Sequence, residues 1–199
     1  MSNFGLMSPR LFIISICLLA LSCKEQYKNP HIQIQTGAGN IEVELYPDKA
    51  PKTVAAFLSY VDAGLYENAS FYRILNIDNQ PSDSYKAELI QGGIYKTRRD
   101  RSAIPGIPHE TTEQTGILHK DGVISLARIE PGTASTEFFI CIGDQPGFDY
   151  GGLNNPDKQG YAAFGKVDKG MNVVHLIYNR PENDQAFSPP VYIYNIVRL

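Results

Sequence analysis

From residue 31 onward the chain falls into short apolar–polar alternations set between turn residues. Only two segments look like helices, and they lie far apart. His31-Ile32-Gln33-Ile34-Gln35-Thr36 puts Ile32 and Ile34 on one face. Gly37-Ala38-Gly39-Asn40 supplies turn chemistry, and Ile41-Glu42-Val43-Glu44-Leu45 alternates again. A side-chain period of two marks a half-buried strand, so this stretch reads as two strands and a turn. Phe71–Leu75, Glu88–Gln91, Val123–Arg128, Glu137–Ile142, Ala162–Val167 and Val191–Leu199 are further strand candidates. Helical spacing occurs in Ala50–Gly64, through Val54, Phe57, Leu58 and Val61, and in Met171–Tyr178. Pro51 suits the first turn of the former and Gly64 its end. Strands that follow one another without helical crossovers pair antiparallel, and a large antiparallel sheet removes its edges by closing. The expectation is a mainly β fold, a closed eight-stranded antiparallel barrel capped by two α-helices. The loops 76–86, 95–122 and 143–160 are long enough to be functional or mobile.

The first residues read as an address. Arg10 precedes the apolar run 11–21, which is too short for a transmembrane helix and the right length for a signal-peptide core. Leu19-Ala20-Leu21-Ser22-Cys23 resembles a bacterial lipoprotein box, with Ala20 where leucine is usual. Residues 1–23 are therefore expected to be a lipoprotein signal peptide with Cys23 as the lipidated residue. An ordinary cleaved signal is the plainer alternative. Residues 24–30 read as a polar tether, and 31–199 as one domain. The expected location is the bacterial cell envelope, on the periplasmic side or the outer membrane, held by a lipid anchor.

Other classes of chemistry find little support. Lys plus Arg number 18 against 21 Asp plus Glu, a net charge of −3, which lacks the basic footprint of a nucleic-acid binder. Three cysteines make no disulfide framework, and Cys141 lies in an apolar run as a small core residue. The four histidines, 31, 109, 119 and 175, form no metal-binding pattern. Ser135 has no nucleophile-elbow context. His109-Glu110 reads as a polar loop pair, Asp144, Asp149 and Asp157 as turn residues, and Arg98-Arg99-Asp100-Arg101 as a solvated loop.

Five segments in order resemble the cyclophilin family of peptidyl-prolyl cis-trans isomerases. They are Gly39–Leu45 with Ala50-Pro51-Lys52-Thr53-Val54, then Phe71-Tyr72-Arg73-Ile74-Leu75, Leu89-Ile90-Gln91-Gly92-Gly93, Gly122–Arg128 continuing to Glu137-Phe138-Phe139-Ile140, and Gly160–Val167. The resemblance implies the same capped barrel, no cofactor or metal, and proline-containing polypeptides as partners of a monomer. It implies Arg73 as the catalytic residue, Gln91 as a hydrogen-bonding partner of the substrate backbone, and Phe139 as the floor of a proline pocket. Leu89, Phe148 and Tyr161 fall at its wall and rim. Ala127 and Arg128 fall where backbone receives the residue before proline, and Glu137 falls where it could orient the Arg73 guanidinium bidentately. Glu88 stands where a pocket phenylalanine is expected, Glu137 where a glutamine is, and Gly147 where many members have an aromatic residue. Tyr72 and Tyr161 each replace a histidine. The function implied is rotation about X-Pro bonds in folding envelope proteins. The alternatives are a catalytically weak module that holds Pro-containing segments, and a structural lipoprotein whose barrel is only a scaffold.

Overall fold

The computed structural model describes Met1 and residues 27–97 and 104–199. The apolar run 11–21, Cys23 and the Arg98–Arg101 cluster lie outside the described residues. Nine strands and three α-helices follow in the order β1 (His31–Thr36), β2 (Gly39–Leu45), α1 (Pro51–Asp62), β3 (Ala69–Leu75), β4 (Leu89–Gly93), α2 (Thr112–Thr115), β5 (Val123–Leu126), β6 (Phe138–Cys141), β7 (Ala162–Lys169), α3 (Met171–Tyr178), β8 (Glu182–Asn183) and β9 (Ala186–Arg198) among the described residues. All pairings are antiparallel in the order β1-β2-β7-β5-β6-β4-β3-β9-β8, and β1 closes onto β9 with Ile34 opposite Ile196. Eight strands thus complete the barrel, and the ninth is a two-residue strand hairpinned onto β9. Its turn, Asp184-Gln185, has both residues at positive φ (50° and 66°), the pattern of a type I′ hairpin.

Alternation sorts the side chains as the sequence suggests. Ile32, Ile34, Ile41, Val43, Leu45, Phe138, Ile140 and Phe164 all point into one buried core. Helix α1 seals one side of it with Val54, Phe57, Leu58 and Val61, and Phe57 meets Phe138 and Phe164 at centroid distances of 5.9 and 5.0 Å. Helix α3 adds Val174 and Ile177. A separate, smaller cluster forms outside the barrel from Leu75, Leu89, Phe139, Cys141 and Phe148. Cys141 belongs to this outer cluster, where burial pushes its thiol pKa far up.

Several elements differ from the expectation. Strand β4 begins after Glu88, and β5 ends before Ala127. Helix α2 is an addition. It is one turn held by a capping box between Thr111 and Gln114 and ended by Gly116 in the left-handed conformation. Strand β9 starts five residues earlier than its apolar pattern suggests. The most consequential departure is a bulge in β3. Phe71 pairs with Gly92 and Arg73 with Gln91, so Tyr72 is the extra residue. Strict alternation would send Arg73 to the same face as the buried Phe71. The bulge shifts the parity, and both Tyr72 and Arg73 emerge on the outer face while Ile74 returns to the core.

Candidate active site

The register places three side chains in a row across neighbouring strands. Arg73 of β3 lies opposite Gln91 of β4, and Gln91 lies opposite Phe139 of β6. Beside Phe139, Leu89 and Leu75 rise from β4 and β3. Phe148 arrives from a short 3-10 turn (Pro146–Phe148), and Tyr161 from the residue before β7. The three rings stand nearly edge-on to one another, with Phe139–Phe148, Phe139–Tyr161 and Phe148–Tyr161 centroids 5.3, 5.2 and 5.1 Å apart. Together they make a cavity of about 240 Å³ with an apolar floor, and Arg73, Gln91, Ala127 and Arg128 are on its polar side. A second recess of about 490 Å³ continues past Arg73, between Tyr72, Tyr95, Thr133, Ser135 and Glu137.

Arg73 is half-buried and held at both ends of its guanidinium. Nη1 donates to Gln91 Oε1 (3.1 Å), while Nε and Nη2 both donate to Gln185 Oε1 (3.2 and 2.8 Å). Gln185 is fixed in turn, its Nε2 donating to the Asn79 carbonyl (3.0 Å) and its backbone N–H to Glu182 (2.9 Å). This corrects the expectation for Glu137, which does not pair with Arg73. Its carboxylate accepts from the Tyr72 hydroxyl (2.8 Å) and the Ile94 backbone N–H (3.0 Å) instead. The physical reason is the bulge, which inserts the Tyr72 side chain between the acid and the guanidinium.

Arg128 plays a different part from the one its backbone suggests. Its side chain forms a bidentate pair with Asp157 (2.7 and 2.9 Å), donates to the Gly160 carbonyl (2.9 and 2.7 Å), and lies over the Tyr161 ring at 5.4 Å. It fastens the long 143–160 loop to the pocket rim. Ala127 lines the cavity, and its N–H is engaged by the Glu137 carbonyl (2.8 Å).

Neither Glu88 nor Gly147 disturbs the apolar floor. Glu88 turns away to accept from the Tyr178 hydroxyl of α3 (2.5 Å). That contact, after burial, raises the Tyr178 pKa. A side chain at Gly147 would run into Asn154, which occupies that stretch of wall and reaches the Tyr85 carbonyl (2.7 Å) on the other long loop. Behind the floor, His119 is fully buried and stacks against Phe139 at 6.0 Å. Its Nδ1–H donates to Asp149 (2.8 Å), and its Nε2 lies 3.0 Å from Ser125 Oγ. The order Ser–His–Asp has the look of a hydrolytic triad, but Ser125 is wholly buried and lines neither of these two recesses, so the trio braces Phe139 and Phe148. No group of three or more His, Cys, Asp or Glu is placed to hold a metal ion among the described residues.

Comparison with known proteins agrees with this fold. Residues 31–198 match the family described as cyclophilin type peptidyl-prolyl cis-trans isomerase/CLD. The peptidyl-prolyl cis-trans isomerase of Acinetobacter baylyi is 34% identical over 154 residues, covering 77% of this chain and 74% of that one. Peptidyl-prolyl cis-trans isomerase A of Dickeya dadantii is 31% identical over 177 residues, 86% and 85% of the two chains. A Cryptosporidium parvum cyclophilin, crystallised in the presence of the dipeptide Ala-Pro, superposes with a TM-score of 0.63 at 22% identity over 84% of this chain and 97% of its own. The chain belongs to the cyclophilin family, and its enzymatic class is that of the peptidyl-prolyl cis-trans isomerases.

Proposed function

We propose that the protein isomerises X-Pro bonds of envelope polypeptides, with Arg73 as the catalytic residue and the Phe139 cavity as the seat of the proline ring. The observation that carries this reading is the row Arg73–Gln91–Phe139, a fixed cationic donor two strands from an aromatic floor.

The chemistry needs no nucleophile. An amide resists rotation by about 18–20 kcal/mol because nitrogen shares its lone pair with the carbonyl. The cis and trans ground states of X-Pro differ by only about 0.5–1 kcal/mol, so the barrier alone is the problem. As the bond twists, the lone pair returns to the proline nitrogen. A donor held nearby then binds the twisted state more strongly than the planar one. A guanidinium is a planar fork of donors, and that of Arg73 cannot swing away while Gln91 and Gln185 hold it. The rings of Phe139, Phe148 and Tyr161 clamp the pyrrolidine. The carbonyl on its far side, lying toward the recess of Tyr72 and Tyr95, is the part that turns. This is catalysis by positioning and preset electrostatics.

The weak-binder alternative needs a polar, open pocket; Glu88 is engaged away from it by Tyr178 and Asn154 fills the wall beside Gly147, which counts against the open form. The C. parvum cyclophilin, crystallised with Ala-Pro present, supports proline-containing peptides as ligands. The envelope setting rests on the signal-like run 11–21 and Cys23. NMR exchange spectroscopy on a proline tetrapeptide tests the reading. Cis–trans exchange accelerated by catalytic amounts of protein is expected, whereas saturable binding without acceleration would convert the reading to a holding module.

A further inference from the structure

Glu137, Tyr72 and Gln91 form a hydrogen-bonded chain that ends on Arg73, and the sense of each bond follows from the first member. A carboxylate only accepts. Tyr72 therefore gives its hydroxyl hydrogen to Glu137 Oε2 (2.8 Å), and the phenol oxygen is left to accept from Gln91 Nε2 (2.8 Å). With its nitrogen turned to Tyr72, Gln91 presents Oε1 to Arg73 Nη1 (3.1 Å). A guanidinium has donors only, so it is compatible with this orientation of the amide and not with the reverse.

The acid at the head of the chain is itself fixed. Glu137 Oε1 accepts from Ile94 N–H (3.0 Å) and from Thr136 Oγ1 (3.2 Å). Gly93, at φ +145°, leaves open the space through which the carboxylate reaches Ile94, and a β-carbon there would collide with it. The β3 bulge delivers Tyr72 to the same point. Burial, and then the carboxylate, hold the Tyr72 pKa well above its usual value, so the phenol remains a donor.

We propose that Glu137 is a positioning residue for the isomerisation. As an acceptor-only group it sets the direction of the Tyr72–Gln91 relay, and so it turns the carbonyl of Gln91 toward Arg73. This deepens the arginine-centred reading above and rests on it. A glutamine at 137 would keep its oxygen on Ile94 N–H and point its NH2 at Tyr72. The phenol would then seek Gln91 Oε1 as its acceptor, and the Gln91 NH2 would face the guanidinium, donor against donor. Arg73 would lose one of its two anchors while the aromatic cavity stayed intact.

The test compares full-chain protein with Glu137→Gln, Tyr72→Phe, the pair, and Arg73→Ala. In Glu137→Gln, kcat is expected to fall about tenfold with KM within about twofold, the signature of a lost transition-state contact. Tyr72→Phe should lose a similar factor, and the pair no more than either alone, because the groups act as one chain. The side-chain amide resonances of Gln91 should shift in both single variants. Wild-type kcat in folded Glu137→Gln, or losses that multiply in the pair, would overturn the proposal. Arg73→Ala separates the two failures. An unchanged rate there overturns the arginine-centred reading and this inference with it. An inactive Arg73→Ala beside a fully active Glu137→Gln overturns this inference alone.

Discussion

Arg73 owes its fixed position to a residue 112 positions away in the chain. Gln185 takes two hydrogen bonds from the guanidinium, more than Gln91 does. Gln185→Ala should therefore lower kcat about three- to tenfold with little change in KM, since each charge-assisted hydrogen bond lost is worth roughly 1.5–3 kcal/mol before water replaces it. Steady-state isomerisation kinetics on the folded variant check this. A rise in KM at constant kcat would instead assign Gln185 to substrate binding. The residues of the floor and the cation are readable in the sequence because they sit in short motifs that resemble those of the cyclophilin family, Phe-Tyr-Arg-Ile-Leu and Phe-Phe-Ile, although alternation alone would turn Arg73 inward. Gln185 is not readable there. Its role depends on a two-residue turn with positive φ and no glycine, and on which strand that turn lies against. The orientation expected from Glu137 fails for a related reason. A bulge leaves no signature in an apolar–polar pattern, and this one inserts Tyr72 between the two charges.

Among the elements, helix α1 shows how a distant loop can complete a local structure. Its N-cap is Ala50, which has no side chain to accept from the first turn. Glu110 supplies the missing acceptor, taking hydrogen bonds from Lys52 N–H (3.2 Å), Thr53 N–H (2.8 Å) and Thr53 Oγ1 (2.7 Å). A negative group at a helix N-terminus also suits the helix dipole. Glu110→Ala is expected to destabilise the fold by about 1–2 kcal/mol, measurable by urea unfolding, with kcat unchanged per folded molecule. An unaltered midpoint would show that water replaces the carboxylate at no cost.

The neighbouring His109 ties the same loop to the pocket rim. Its Nε2–H donates to the Gln159 carbonyl (3.2 Å), and its buried Nδ1 has no hydrogen-bond partner among the described residues. Burial is the main cause holding its pKa below the usual 6.5. The unfolded chain therefore takes up this proton at a higher pH than the folded one does. Below the ordinary imidazole value the unfolded state holds more protons, so stability is present above it and declines as pH falls. Thermal melts should show Tm dropping between about pH 7 and pH 5, and less steeply in His109→Gln. An equal slope in the two proteins would remove His109 from the effect. The sequence shows this pair only as loop residues, because helix capping across 57 positions depends on how the loop folds back.

At the scale of the whole molecule, closure of the barrel is legible because it follows from counting. Eight alternating segments without helical crossovers leave few arrangements other than a closed antiparallel sheet, and the observed β1–β9 pairing completes it. The two-residue strand β8 and the single turn of α2 have too few residues to display a period, although the Thr111–Gln114 capping box is present in the sequence. The two long loops, joined by Asn154 and Tyr85, explain how an apolar notch survives without the aromatic residue expected at 147. For the envelope reading, cells given labelled fatty acid should incorporate it into this protein, and Cys23→Ala should abolish incorporation. Normal labelling of that variant would refute the lipid anchor.

One guanidinium beside the ring floor of Phe139 carries the proposed isomerisation. Its most direct test is the proline-peptide exchange rate of Arg73→Ala, with the fold verified by circular dichroism and the melting transition. A loss of at least about a hundredfold in kcat is expected, equivalent to about 2.7 kcal/mol of barrier, with proline-peptide binding largely retained. Wild-type exchange by a correctly folded Arg73→Ala would contradict it.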